Sequence, residues 1–265
     1  MASVDIMKTI RKVICFLLCA YLAIGLVWAA KITIIHYLNI DGLPVLGYHD
    51  IVSDEEKEKN FKHDIYHMSI SEFEKQMQYL YENNYHTLTM PEIEAYYNGT
   101  YQLPKKAVAL TFDDGYKSFN TNVKEILEKY NFQATCFVIG VKTTNDNPNY
   151  LKKEDLVNDE NVQYYSHSYN LHHHQKALKM IETLSKEQIN EDFNHNNNIV
   201  SSKYFAFPYG VATEESFNVL KQQNVSLAFG YNQNRNMTRK DNQYLLPRYS
   251  MFANMPLIYF KWICQ

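Results

Sequence analysis

Two adjacent carboxylates follow an apolar run in the middle of the chain. Residues 107–112 are apolar except for Thr111, and Asp113, Asp114 and Gly115 come directly after them. Neighbouring carboxylates repel each other when both are ionised, which raises one pKa unless a cation lies between them. The pair therefore favours a site in which one aspartate binds a cation and the other stays free as a base. Taken alone, the motif is also compatible with a simple Asx-type turn.

A cluster of histidines follows another apolar run. Four histidines fall within the eight residues from His167 to His174. Neutral imidazole is a common zinc ligand, and a catalytic zinc site uses three protein ligands with one position left open for water. Asp114 with two of these histidines makes such a set. The run His172–His174 by itself would be only a solvated polar segment.

Two weaker motifs also end apolar runs. Residues 204–207 lead into a Pro-Tyr-Gly sequence at 208–210, and residues 44–48 lead into His49. Taken alone, the first is typical of a turn and the second of a structural histidine. Their position is informative because chemistry collects at the carboxyl ends of parallel strands in barrel-like α/β folds.

The apolar runs alternate with segments of helical periodicity, which is the pattern of an α/β fold. Strands are predicted over residues 44–48, 107–112, 134–139, 162–165, 204–207 and 226–229. Helices are predicted after Ser69 or Ser71, either of which can cap the first turn, and over residues 117–130, 177–199 and 213–223. We expect parallel strands in a barrel-like arrangement.

An uncharged N-terminal segment stands apart from this pattern. Residues 13–30 carry no charge, and Lys8, Arg11 and Lys12 precede them. A helix of that length spans about 27 Å, close to the bilayer hydrocarbon thickness of about 30 Å. The basic flank favours a cytoplasmic N-terminus. Cleavage after Ala29, which would give a secreted protein, and a buried core helix are the alternatives.

The predicted organisation has four parts. They are a cytoplasmic N-terminus at 1–12, a transmembrane signal anchor at 13–30, a stalk at 31–43 and one extracytoplasmic domain at 44–265. No linker or internal repeat divides the last part. The cell membrane, with the domain on its outer side, is the predicted location.

The bulk composition excludes other classes of protein. Of the 265 residues 46% are hydrophobic and 21% charged, which is typical of a globular chain. A formal net charge of −3 gives no broad basic surface for nucleic acid. Cys15 and Cys19 lie in the apolar segment, and Cys136 and Cys264 lie far apart, so neither a disulfide framework nor a cysteine-based zinc site is predicted.

In combination, the four motifs resemble the NodB-type polysaccharide deacetylases, carbohydrate esterase family 4. The resemblance covers nearly all of residues 44–250, and the Thr-Phe-Asp-Asp-Gly sequence at 111–115 matches in full. It implies a distorted (β/α) barrel, here preceded by one transmembrane helix. It also implies a metal-dependent hydrolase that removes N-acetyl groups from a polysaccharide.

The resemblance assigns roles to residues of this sequence. Asp113 corresponds to the general base. The ligands of a divalent metal, for which zinc is the first choice, correspond to Asp114, His167 and His172. Since this set also accepts cobalt, nickel or iron, the sequence does not define the ion.

The spacing of the two histidines points to one branch of the family. Four residues separate His167 from His172, where three are commoner, and this form is similar to the branch acting on poly-β-1,6-N-acetylglucosamine. That branch carries its catalytic acid in a Tyr-His-Asp motif, which residues 48–50 match, so His49 is the implied acid. Peptidoglycan, chitin-type oligomers and acetylated xylan are alternative substrates, and a non-catalytic glycan-binding protein is an alternative class.

The sequence departs from the family pattern at two points. Ala206 replaces the arginine that usually steadies the base, and no Asp-x-x-x-Trp motif is evident. Arg248 is expected to supply the missing charge, and the backbone N–H of Tyr209 is expected to stabilise the oxyanion. Tyr209 and Arg248 are accordingly assigned to substrate binding, and Asp50 or another carboxylate is expected to orient His49.

Overall fold

The computed structural model describes residues 2–38 and 41–265, and the chain divides into two units, Met1–Ile40 and Asp41–Gln265. Helix α1 (Ala2–Leu38) makes up the described part of the first unit. Its stretch Ile10–Ala30 is long and apolar enough to cross a membrane, and a signal sequence has the same properties. The predicted stalk begins within this helix, and its residues 39–40 lie outside the described residues.

The second unit is built on a curled parallel sheet of eight strands. The order is β11-β10-β7-β6-β5-β1-β12, with β4 beside the start of β5. Two small sheets, β2–β3 and β8–β9, are separate from it. The strands are β1 (Val45–Tyr48), β2 (Asp50–Val52), β3 (His67–Ser69), β4 (His86–Thr87), β5 (Ala107–Phe112), β6 (Ala134–Val138), β7 (Val162–Ser166), β8 (His174–Gln175), β9 (Leu178–Lys179), β10 (Tyr204–Ala206), β11 (Leu227–Phe229) and β12 (Tyr249–Ser250).

Helices cover the sheet and bury its strands. All six residues of β5 are buried, which is the pattern of a parallel strand covered on both faces. The helices are α2 (Asp54–Asn60), α3 (Ile70–Glu82), α4 (Met90–Tyr97), α5 (Lys124–Tyr130), α6 (Gly140–Thr144), α7 (Lys186–Asn197), α8 (Glu214–Gln222) and α9 (Leu257–Cys264). A π-helical turn (Phe119–Val123) precedes α5, and 3₁₀ turns lie at Lys153–Asp155, Met180–Thr183 and Pro208–Gly210.

Helix α3 shows how the sequence produces these elements. The Ser69 side chain accepts a hydrogen bond from the N–H of Glu72, and the Glu72 carboxylate accepts one from the Ser69 N–H. Such a cap contributes about 1 kcal/mol to helix stability. Phe73, Met77 and Leu80 then repeat at helical spacing and are fully buried.

The strand register brings the polar motifs to one edge of the sheet. Tyr48 pairs with Phe112, the last residue of β5, and Phe112 pairs with Cys136. Ser166, the last residue of β7, pairs with both Val138 and Phe205. The residues that follow β1, β5, β7 and β10 therefore lie at the same, carboxyl-terminal edge.

The helix predicted over residues 177–199 is shorter than expected. The chain first forms the β8–β9 hairpin, whose turn contains Lys176 at a φ of 58°, and then a 3₁₀ turn. Helix α7 begins only at Lys186, because Ser185 caps it by accepting the N–H of Gln188. Before Ser185, local hydrogen bonds stabilise the hairpin and the 3₁₀ turn in place of the helix that the periodicity predicts.

Candidate active site

Asp113 follows β5 and is held by a buried arginine. Arg248 donates to both of its carboxylate oxygens, at 2.8 and 2.7 Å. The same guanidinium donates to Thr111 Oγ1 at 3.0 Å and to the Gly230 carbonyl at 2.7 Å. Burial raises the pKa of Asp113, but the charge and hydrogen bonds of Arg248 together with the nearby His167 and His49 outweigh burial, and the net shift is downward. The carboxylate is therefore ionised at neutral pH.

Arg248 supplies the charge that the family arginine would provide from position 206. It is fully buried, at 0% exposure, and its guanidinium donates to Asp113, Thr111 and the Gly230 carbonyl. The sequence assigned Arg248 to substrate binding and also expected it to supply the missing charge. The structure places its guanidinium on the Asp113 carboxylate, which is the position that the second expectation requires.

Asp114 turns away from Arg248 towards two imidazoles. Its Oδ1 lies 3.5 Å from Nε2 of His167 and 3.5 Å from Nε2 of His172. This oxygen is buried and has no hydrogen-bond partner among the described residues. Asp114 adopts a φ of 74°, and a left-handed backbone at a non-glycine residue is typical of functional sites. The turn at Asp114 sends the two adjacent carboxylates in different directions.

The cluster of Asp114, His167 and His172 fits a divalent cation. Their ligand atoms all lie within 4.8 Å of one another. Two ligands about 2.1 Å from a tetrahedral ion lie about 3.4 Å apart, close to the spacing around Asp114 Oδ1. Burial raises the pKa of Asp114, but the neighbouring imidazoles of His167 and His172 outweigh burial and hold this pKa well below its usual range. One ionised carboxylate oxygen and two imidazole nitrogens together form a suitable ligand set for a divalent cation.

The two imidazoles are fixed by different contacts. His167 is buried, and its Nδ1 lies 2.7 Å from the Ala206 carbonyl, which leaves Nε2 free to act as a ligand. Burial lowers the pKa of His172, which favours the neutral form that binds metal. His172 stacks on the Tyr209 ring at a centroid distance of 4.3 Å.

The other two histidines of the run lie outside this cluster. His173 is exposed, and His174 lies in β8 with its Nε2 at 2.5 Å from Lys179 Nζ. His174 also packs against the Tyr209 ring at 4.8 Å. The spacing that selects His172 over His174 therefore agrees with where the backbone places them.

His49 follows β1 and contacts Tyr231. Its Nδ1 lies 3.4 Å from the Tyr231 hydroxyl, which itself donates to the Gly47 carbonyl at 3.2 Å. Burial lowers the pKa of His49, against the opposing charges of Asp114 and Asp113. The imidazole is thereby oriented by a hydroxyl.

Asp50 does not take the orienting role that was expected of it. Its carboxylate accepts a hydrogen bond from Ser118 and lies 3.6 Å from His67 Nε2. Adjacent residues of extended backbone point to opposite sides, so Asp50 and His49 face different surroundings. No sequence signal marked Tyr231, which is far from His49 in the chain.

One cavity of about 500 Å³ is lined by His49, Asp113, Asp114, His167 and His172. Its walls carry four tyrosines, which suit the apolar faces of a sugar ring, and one lysine. Tyr209 borders it with a φ of 58°, and Lys179 lies over its ring at 4.2 Å. The lining of the cavity also includes Tyr66, Tyr116, Lys179, Tyr209 and Tyr231.

Comparison with known proteins gives a consistent result. Residues 100–228 match the polysaccharide deacetylase family model. A poly-beta-1,6-N-acetyl-D-glucosamine N-deacetylase of Staphylococcus aureus is 28% identical over 196 residues, which cover 69% of this chain and 67% of that protein. The enzyme of the same name from Staphylococcus epidermidis is 26% identical over 220 residues, 77% of this chain and 73% of that protein.

Solved structures agree with the sequence comparisons. The structure of IcaB from Ammonifex degensii is similar with a TM-score of 0.70 and 25% identity, over 85% of this chain and 98% of that one. The deacetylase PplD of Streptococcus pyogenes shares the fold, with a TM-score of 0.65 at 22% identity over 84% of this chain and 98% of that one.

Residues 100–228 carry a polysaccharide deacetylase domain, and the fold is that of carbohydrate esterase family 4. The chain is a hydrolase acting on carbon–nitrogen bonds other than peptide bonds. The predicted distorted (β/α) barrel is confirmed.

Proposed function

We propose that this chain removes N-acetyl groups from extracellular poly-β-1,6-N-acetylglucosamine and that a divalent metal takes part. The observation that carries the proposal is the contrast between two adjacent aspartates. Asp113 is paired with Arg248 at 2.7 and 2.8 Å, whereas Asp114 directs an unpartnered oxygen at two imidazoles. The first is suited to act as a base and the second as a metal ligand.

Asp114, His167 and His172 would hold the ion, which we propose to be zinc. When bound, the ion polarises the acetamide carbonyl and lowers the pKa of water. The contact between His167 Nδ1 and the Ala206 carbonyl fixes the tautomer that presents Nε2. The tautomer is thus set by the backbone at the end of β10.

Asp113 acts as the general base and takes a proton from the attacking water. Each carboxylate oxygen can accept more than one hydrogen bond, so pairing with Arg248 leaves acceptor capacity for the water. Arg248 also keeps the carboxylate ionised before the reaction. Water then adds to the carbonyl carbon, and the backbone N–H of Tyr209 stabilises the oxygen that becomes negative.

His49 acts as the general acid and gives a proton to the departing nitrogen. The carbon–nitrogen bond breaks, and acetate and a free amino sugar are formed. Its lowered pKa makes His49 a stronger acid towards the amine but reduces its protonated fraction at neutral pH. Contact with Tyr231 orients the ring so that Nε2 is available.

The choice of polymer rests on three observations. The two Staphylococcus relatives carry the poly-β-1,6-N-acetylglucosamine name, four residues separate His167 from His172, and a Tyr-His-Asp motif lies at residues 48–50. The tyrosines around the cavity give faces on which sugar rings can stack.

The location proposed is the outer face of the cell membrane, with α1 as anchor. The stretch Ile10–Ala30 has 21 residues, none buried, and spans about 32 Å as a helix. Fractionation with membranes and access of added protease to the domain in intact protoplasts test this. Finding the full-length protein soluble in the cytoplasm would contradict it.

Acetate release from defined glycans tests the activity. Full-length protein in detergent is given poly-β-1,6-N-acetylglucosamine, peptidoglycan, chitin oligomers and acetylated xylan, each with and without a chelator. We expect chelator-sensitive release that is fastest from the first polymer. Faster release from another glycan would change the substrate, and release that resists chelation would exclude the metal.

A further inference from the structure

The connection between the two histidine ligands, residues 168–171, is bound on one side by helix α6. The Ser168 carbonyl accepts from the Gly140 N–H at 3.1 Å, and the Tyr169 carbonyl accepts from the Val141 N–H at 2.9 Å. The first N–H groups of a helix have no partner within it, so they are free to bind these carbonyls. Two consecutive carbonyls of the connection are thus fixed.

Asp192 of helix α7 binds the other side of the same two peptide groups. Its Oδ1 accepts from the Tyr169 N–H at 2.8 Å, and its Oδ2 accepts from the Asn170 N–H at 2.7 Å. Asp192 is buried, with 9% exposure. Each peptide group is therefore bound at its carbonyl by α6 and at its N–H by Asp192, which fixes the orientation of both planes.

Helix α7 is itself attached to the sheet close to the ligands. Asn196, one turn after Asp192, donates to Ser166 Oγ at 2.7 Å and to the Val138 carbonyl at 3.2 Å. Leu171, at the end of the connection, belongs to the same buried cluster as Phe193 of α7. Asp192 therefore acts from a rigid support.

The connection needs such support because its backbone is strained. Ser168 adopts a φ of 67°, which non-glycine residues keep only where their surroundings hold them there. Without the Asp192 carboxylate, the N–H groups of Tyr169 and Asn170 would lose their partners. Other conformations of the connection would then compete, and His172 would move with them.

We propose that Asp192 is a positioning residue that sets the placement of His172 relative to His167, and so the affinity of the site for a divalent ion. The proposal rests on the proposed ligand set of Asp114, His167 and His172. Asp192 reaches the ion only through the backbone of the connection.

The experiment compares four forms of the full-length chain in detergent: wild type, Asp192→Asn, Glu191→Gln and Phe193→Leu. An amide at position 192 has one acceptor oxygen, and its NH₂ group would face an N–H. Glu191 is exposed on the same helix, and Phe193→Leu loosens the α7 core without changing a polar contact. Because burial raises the pKa of Asp192 to about 6, measurements at pH 8 keep it ionised.

Zinc affinity is measured by competition with a chromophoric chelator, and the coordination geometry by the visible spectrum of Co²⁺. We expect Asp192→Asn to weaken zinc binding by roughly 10- to 100-fold, the usual effect of removing a group that orients a ligand, and to alter the Co²⁺ spectrum. Glu191→Gln should bind within about twofold of wild type, and Phe193→Leu should weaken zinc binding less than Asp192→Asn does. Wild-type affinity and spectrum in Asp192→Asn would overturn the proposal.

Failure of a variant to fold, or of the wild type to bind zinc, also has a defined meaning. If Asp192→Asn does not fold, Asp192→Glu replaces it, and unchanged zinc affinity in that variant overturns the proposal. If neither folds, Asp192 serves the fold and the proposal is also overturned. Absence of zinc binding in wild type would instead refute the metal-dependent function.

Discussion

The two halves of the site are completed in different ways. In the base half, Asp113 is paired with Arg248, and the arginine is further bound by Thr111. In the ligand half, Asp114 Oδ1 is equally buried but has no hydrogen-bond partner among the described residues, and it lies 3.5 Å from two imidazole nitrogens. In the base half, folding itself provides the carboxylate with a charged partner. In the ligand half, a bound cation would provide it.

The difference teaches that neighbouring residues of one type can be separated by backbone geometry alone. Asp113 continues the direction of β5, whereas the left-handed backbone at Asp114 turns the next carboxylate towards β7. Substitutions in the base half should change turnover and stability but not metal content. Substitutions in the ligand half should change metal content first.

The largest expected effect is the loss of turnover in Asp113→Asn. An amide cannot take the proton of the water, so turnover should fall by roughly 10²- to 10⁴-fold, the usual contribution of a general base. Bound metal should stay at the wild-type level. Metal content and acetate release are measured on the same samples, and His49→Ala should fall in the same range.

Asp114→Asn is the matched variant one position along. It should lose bound metal, since an amide oxygen is a poorer ligand and leaves the charge of the ion less neutralised. If Asp113→Asn lost the metal while Asp114→Asn kept metal and activity, the two roles would be reversed. If neither changed acetate release, the site would lie elsewhere.

Replacing Arg248 with methionine should show that the base half is a folded unit. The change leaves the Asp113 charge buried and unpaired, which costs about 3–5 kcal/mol of unfolding free energy. Denaturant unfolding of the metal-free protein measures it. Combining Arg248→Met with Asp113→Asn should recover part of the loss, and strictly additive losses would mean that the pair is not coupled.

Metal binding should stabilise only variants with an intact ligand half. At zinc concentrations 100-fold above the dissociation constant, the wild type should gain about 2.7 kcal/mol. His172→Ala should lose this gain, whereas His174→Ala should keep it, because His174 contacts Lys179 and Tyr209 instead. Equal loss in both variants would show that the histidine spacing has been misinterpreted.

Much of the fold was predictable because the strands are short, apolar and fully buried. The six predicted strands are present within one or two residues of their expected ends, and the motifs that follow them meet at one edge. The prediction of a helix over 177–199 was wrong about where the helix begins. Hydrogen bonds of the hairpin and of the cap, at residues 174–185, override the helical periodicity there. Short helices such as α2 and α9 were missed because they are only about two turns long.

The site was predictable where the type of residue decides the chemistry, and less so where distant residues meet. Asp113, Asp114, His167 and His172 lie together as their spacing suggested. Tyr231 and Asp192 give no local signal, because their roles depend on contacts with residues far away in sequence. For Arg248, sequence suggested the charge, but only the structure shows that its guanidinium is buried against Asp113.

The smallest expected effect concerns the acid side of the site, where Tyr231 orients His49. The contact from Nδ1 to the hydroxyl is long, at 3.4 Å, so its loss in Tyr231→Phe should cost about 0.5–1.5 kcal/mol, up to roughly tenfold in turnover. Tyr249→Phe is the control, since its hydroxyl bonds to Asn236 away from His49. Metal content should not change in either variant. We expect turnover to fall in Tyr231→Phe only, and to fall no further when Tyr231→Phe is combined with His49→Ala, because the hydroxyl acts through that ring. An equal further loss in the His49→Ala background would show that Tyr231 acts on the substrate directly.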